Sequence, residues 1–454
     1  MATRTPNFKH LFPLSILVSC AVLLLLLSPG TEAQEKAARP KIAILVFDSI
    51  QLFDFMGPYD VLRRDNDVYL VTEKPVIETY GGTIPSVKIT PQYTFANAPR
   101  PDVLVIPGGG SNKPGKRGVG TQIEQGRKLA AELIKRESLP GLSIAVAVDG
   151  KTVWSEGFGF ADLDKKVLAS PKTRFRIGSL SKLLTAAALA RAYEKGLIDL
   201  DAPVQRYVPT FPKKEQEITI RQLAGHLSGI RQYSRDEYIN RRSYSTVLKS
   251  LNVFQDSPLL FPPGTKYGYS SYGYDLLGAA IEGATKQNFL SYVQQQVFRP
   301  LKMKSTIADS AQKEVPNRTR FYSRDSTGQI VAAPETDLSD RLPAGGFLST
   351  VEDLARFGSA LLKDGFLKSE TRNLMFTSQR TADGKETGVG LAWRISKDEK
   401  GRRILHHGGD SVGARAFMLI YPEQKIVVVM LSNLTFARFA EQDASKFAER
   451  FMRN

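Results

Sequence analysis

A chain of 454 residues, 42% hydrophobic and 24% charged, is long enough for two or three globular domains. Its net charge of +16 would suit an anionic surface or cell wall, but the Lys and Arg residues are scattered and no nucleic-acid motif accompanies them, which argues against a nucleic-acid partner. The lone cysteine, Cys20, excludes a disulfide framework, and no His/Cys cluster or H-E-x-x-H has metal spacing, so no metal or cofactor is implied.

In chain order, Arg4 and Lys9 precede an apolar run from Leu11 to Leu27, which Ser28-Pro29-Gly30 breaks before Ala33. This predicts a signal peptide over 1–33, cut after Ala33, and a secreted or periplasmic protein. The run nearly reaches spanning length, so an uncleaved membrane anchor is the alternative. Leu17-Val18-Ser19-Cys20 has the form of a lipoprotein box, but the apolar residues continue past Cys20. Residues 34–110 read as an α/β segment. Ile42–Phe47, Val68–Thr72 and Asp102–Ile106 have buried-strand composition, and Asp54–Leu62 reads as a short helix between them. Such alternation predicts a partly parallel sheet. Residues 111–120, with three glycines, a proline and three basic residues, read as a linker.

A second domain is predicted over 121–454. It opens with helical periodicity from Thr121 to Lys135 and a hairpin around Asp149-Gly150. Three islands follow. In the first, Ser179-Leu180-Ser181-Lys182 joins an extended segment (Thr173–Ile177) to an apolar helix (Leu180–Tyr193). Positions i and i+3 share a helix face, so the Lys182 amine can reach the Ser179 hydroxyl. The helix N-terminus supplies free N–H groups and partial positive charge. In the second, Tyr269-Ser270-Ser271 precedes a helix from Gly273 to Gly283. In the third, His407-Gly408-Gly409 leads to a strand from Ala414 to Tyr421; His406-His407-Gly408 offers a competing register. Gly409-Asp410-Ser411-Val412-Gly413 matches a nucleophile elbow, but a strand rather than a helix follows it and no histidine lies beyond Ser411. His226 reads as a packed histidine, and Arg415 as a surface arginine, with contact to an anionic substrate as the alternative. Asn317 and Asn433 begin glycosylation sequons.

The three ordered islands resemble the serine β-lactamase and penicillin-binding protein family, closest to the class C-like branch that includes esterases and a mitochondrial serine protease. Phe175-Arg176-Ile177-Gly178, His226-Leu227-Ser228-Gly229-Ile230, Gly345–Thr350 and Ile426–Leu431 agree with it. The resemblance implies an antiparallel sheet flanked by helices plus a helical subdomain. It also implies a serine hydrolase of esterase or peptidase type working through a Ser179 acyl-enzyme. Lys182 and Tyr269 would move protons, with cations beside Tyr269 favouring its phenolate. The backbone N–H groups of Ser179 and Asp410 would hold the oxyanion, and His407, Gly409 and Ser271 would line the substrate. Two departures weaken a β-lactam reading. Ser271 stands where lactam-handling members carry Asn, and His407 where they carry Lys, so Ser271 is expected to reach Lys182 poorly. A β-lactamase, a D-Ala-D-Ala carboxypeptidase and a non-catalytic peptide or cell-wall binding protein remain alternatives; the expected partner is a small ester, peptide or lactam. Residues 41–107 resemble the start of the ThiJ/PfpI type of glutamine-amidotransferase-like domain, through Phe53–Asp60 and Pro107-Gly108-Gly109. The family's later cysteine is absent, which implies a truncated, non-catalytic segment.

Overall fold

The computed structural model describes residues 39–48, 50, 52–79, 87–107, 119–234, 236–310 and 314–452. The predicted signal peptide or anchor over 1–33 and most of the linker lie outside the described residues. The chain divides into two compact units, Met1–Gly108 and Gly109–Asn454.

In the first unit, β1 (Lys41–Leu45) pairs in parallel with β2 (Asp67–Thr72) and with β4 (Val103–Val105), and β2 pairs in parallel with β3 (Tyr93–Thr94). Helix α1 (Leu52–Leu62) packs on β1 and β2, and Ile44, Val46, Phe55 and Leu70 form a small core. Among the described residues the sheet ends at β4, where Val103 and Leu104 stay about half exposed, at 48% and 54%.

Among the described residues, the second unit is built on a seven-stranded antiparallel sheet. Strands β5 (Gly141–Val148), β6 (Lys151–Asp162) and β7 (Val167–Leu168) come early in the chain. Strands β8 (Arg394–Lys397), β9 (Arg403–Ser411), β10 (Ala414–Tyr421) and β11 (Ile426–Ser432) come last. The spatial order is β8-β9-β10-β11-β5-β6-β7, so β11 joins the two halves through its pairing with β5. Both faces are covered, which explains why β11 reads as an unbroken apolar run. Its Val427, Val429 and Leu431 enter the main core, while Ile426, Val428 and Met430 pack under α2 (Val119–Glu137) and α6 (Glu441–Phe451).

The main core surrounds α3 (Ser181–Glu194). A surface helix shows one apolar stripe, but α3 is buried on nearly every side, as a central helix must be. It packs against α4 (Ser271–Thr285), which Ser270 caps by accepting from the Gly273 N–H at 2.9 Å. Helix α5 (Val351–Ala360) lies across β5 and β11. The sequon at Asn433 is structural: the side chain is fully buried and donates to Phe160 O and Thr319 Oγ1.

Candidate active site

Ser179 sits in a short 3-10 turn, Gly178–Leu180, that feeds into α3. Gly178 has φ +48°, and a Cβ there would lie 2.5 Å from the Asp410 carbonyl oxygen. A Cβ on Gly409 would lie 2.1 Å from the Ile177 oxygen. Both positions therefore require glycine, and the serine turn packs backbone to backbone against β9. The first N–H groups of such a turn have no acceptor within it. The Ser179 amide thus starts without a helical partner, beside the strand that carries Asp410.

Two side chains meet at the Ser179 hydroxyl. Its Oγ accepts from Lys182 Nζ at 2.9 Å and from Tyr269 OH at 2.7 Å. Lys182 Nζ also donates to Ser271 Oγ at 3.1 Å and to the Ala344 carbonyl at 2.8 Å. Lys182 has no exposed surface, and that burial brings its amine down to about 8. Tyr233 and Asp275 oppose the change, and Arg341 adds to it. Burial drives Tyr269 the other way, up to about 12, although its bond to Ser179 and the nearby Arg394 pull it down. The expected phenolate is therefore corrected: desolvation outweighs the cations, and Tyr269 is neutral near pH 7.

Tyr269 is backed by His226, whose ring centroid lies 4.4 Å away. His226 is 1% exposed, and its Nδ1 accepts from the Ser270 N–H at 3.2 Å. Burial holds it well below its usual range, so it is a neutral packing partner. Behind Lys182, on α4, lies Asp275, fully buried with its carboxyl raised by desolvation and by Asp340.

Ser271 departs from expectation. It touches Lys182 directly, and Gln232 supplies the carboxamide that Ser271 lacks. Gln232 Nε2 donates to Ser271 Oγ at 3.2 Å, and its Oε1 accepts from the Ser271 N–H at 2.5 Å. His407 lines the cleft at 2% exposure, with Nδ1 2.5 Å from Gly408 O. Burial, and next the charge of Lys182, keep it neutral. The alternative register places His406 in a different pairing, with Ser396 at 3.2 Å and Glu441 at 3.3 Å. Arg415 is no surface arginine. Its side chain is 15% exposed, bonds Asp410 Oδ2 at 2.6 Å and donates to Phe439 O. Ser411, the elbow decoy, ends β9 and is followed by a turn into another strand, so no elbow forms.

Ser179, Gln232, Tyr269, Arg394 and His407 line a cleft of about 520 Å³. Arg394, on β8 opposite His406, is exposed and lies 5.9 Å from the Tyr269 ring. Sequence patterns did not point to Gln232 or Arg394. The first is fixed by a loop that crosses α4, the second by strand pairing alone; neither belongs to a spaced motif.

Comparison with known proteins gives the class. The family model described as Beta-lactamase matches residues 127–449, all within the second unit. The chain belongs to the β-lactamase family, and it is a serine hydrolase of that family. It is similar to the mouse (Mus musculus) "Serine beta-lactamase-like protein LACTB, mitochondrial", at 32% identity over 68% of this chain and 74% of that protein. Among solved structures it resembles the octameric penicillin-binding protein homologue from Pyrococcus abyssi, with TM-score 0.64 and 25% identity over 72% of this chain and 77% of that one. A D-stereospecific amidohydrolase from Streptomyces shares the fold, with TM-score 0.61 and 23% identity over 72% and 98% of the two chains.

Proposed function

We propose that the protein hydrolyses an ester or peptide bond through an acyl-enzyme on Ser179. The observation that carries this reading is the convergence of Lys182 Nζ and Tyr269 OH on one serine oxygen, at 2.9 and 2.7 Å. A serine hydroxyl attacks a carbonyl only when a base takes its proton. With its amine near 8, Lys182 is neutral in roughly one molecule in ten at pH 7, and that fraction can accept the proton. The Ser179 Oγ then bonds to the carbonyl carbon, and the negative oxygen is held by the Ser179 and Asp410 amides. Tyr269, kept protonated, passes its proton to the departing oxygen or nitrogen and is reprotonated from Lys182. Water enters by the reverse relay and releases the acid.

The neutral His407 supports an ester or peptide over a β-lactam. Arg394 favours a second reading, a substrate carrying a carboxylate such as a D-alanyl peptide, because it brings to the cleft a cation that His407 does not. The test is labelling with a fluorophosphonate and with a penicillin probe, followed by mass-spectrometric mapping. An adduct on Ser179 that is absent from Ser179→Ala is expected. Labelling elsewhere, or equal labelling of Ser179→Ala, sinks the acyl-enzyme.

A further inference from the structure

We infer that the acyl half of the substrate is a long apolar group, seated in an aromatic trough formed by Tyr238, Ile239, Pro334, Val412 and Phe436. The inference rests on the acyl-enzyme reading. Tyr269 delivers its proton to the leaving group, so the leaving group departs into the cleft lined by Tyr269, Arg394 and His407. The acyl fragment falls to the remaining side of Ser179. There Val412 lines the pocket at Ser179 and also a second cleft of about 650 Å³, and Tyr238 stands between that cleft and the leaving-group side.

Two features of that cleft suit an apolar ligand, and a third suits the carbonyl that joins it to Ser179. Its walls are mainly carbon, and Ile239 and Phe436 stand 43% and 60% exposed within it. Phe436 also holds φ +53°, a left-handed conformation costly for a bulky residue, and it stacks on Tyr238 with centroids 5.5 Å apart. A strained aromatic left more than half exposed at a cavity mouth contributes little by burial, whereas it would gain contact with a ligand. Finally, the Tyr238 hydroxyl is enclosed but makes no hydrogen bond among the described residues. It lies where a polar atom near the reacting carbonyl could accept from it.

The experiment uses the full chain and two alkyl fluorophosphonates, ethyl and octyl, in which Ser179 Oγ bonds to phosphorus and fluoride leaves. Second-order labelling rates at Ser179 are followed by mass spectrometry. The octyl probe is expected to react at least ~10-fold faster than the ethyl probe, given the apolar area it buries. Phe436→Ser and Ile239→Ser should each bring the octyl-to-ethyl ratio toward one, and Phe436→Leu should largely keep it. Ile239 is a surface position, so its variant reads the trough even where Phe436→Ser is poorly folded. Equal wild-type rates for the two probes, or an unchanged ratio in Ile239→Ser and Phe436→Ser, overturn the trough and leave the acyl-enzyme intact. No adduct at Ser179 with either probe overturns both.

Discussion

Lys182 must lose a proton before it can take one from Ser179, so its lowered value sets a direction for pH dependence. Hydrolysis (kcat/KM) is expected to rise with pH through about 8 and then level off, because Tyr269, near 12, keeps its proton throughout. A profile that falls between pH 7 and 9 would contradict Lys182 as the base. Lys182→Arg should remove most activity, since a guanidinium stays protonated and cannot serve as a base. Tyr269→Phe should lower kcat by ~10²–10⁴-fold, whereas His407→Ala, which removes a neutral cleft wall, should cost far less. Equal losses in steady-state assays on an activated ester would reject that division of labour. Ser179, Lys182 and Tyr269 were legible in the sequence because spacing on a helix and motif order constrain them. Their charge states were not, since burial decides them and burial is a property of the packed core. The same reason hid the contact between Gln232 and Ser271.

At the level of elements, the serine turn and β9 are held together by two glycines rather than by side chains. Gly409→Ala would drive a methyl group into the Ile177 carbonyl. It should lower unfolding stability by about 1–3 kcal/mol and, by shifting Asp410 away from Ser179, lower kcat/KM by ~10²-fold. Chemical denaturation and ester kinetics on one preparation check both. Wild-type kinetics in this variant would argue against Asp410 as an oxyanion donor. Most elements could be read from apolar runs; the span of β10 is the expected Ala414–Tyr421. Strand β9 could not, because His406-His407-Gly408-Gly409-Asp410 lacks alternation and reads as loop. It is strand because β10 pairs with it from Leu405 to Ser411, while β8 pairs on the other side only up to His406. The first turn of the serine helix is 3-10, so α3 begins one residue later than its apolar pattern indicates.

For the whole molecule, every side chain placed at the site comes from the second unit. A chain beginning at Gly109 is therefore expected to label at Ser179 at a rate within about threefold of the full chain, a change of less than one kcal/mol. A soluble, cooperatively folded fragment that fails to label would assign the first unit a part in the reaction. Spacing alone does not disclose the sheet order. That the last strand lies against the first long hairpin follows from burying both faces of β11 and β5, which no local pattern reports.

The β5–β11 seam has a consequence for biogenesis. During translation the hairpin, the serine turn and the central helix all emerge long before the strand that must flank them. Until β11 has been made, the nascent chain holds an unzipped sheet edge along β5, a hazard for premature association. Completion of the hydrolytic crevice thus waits for β11 and for the long loop closure that brings it onto β5.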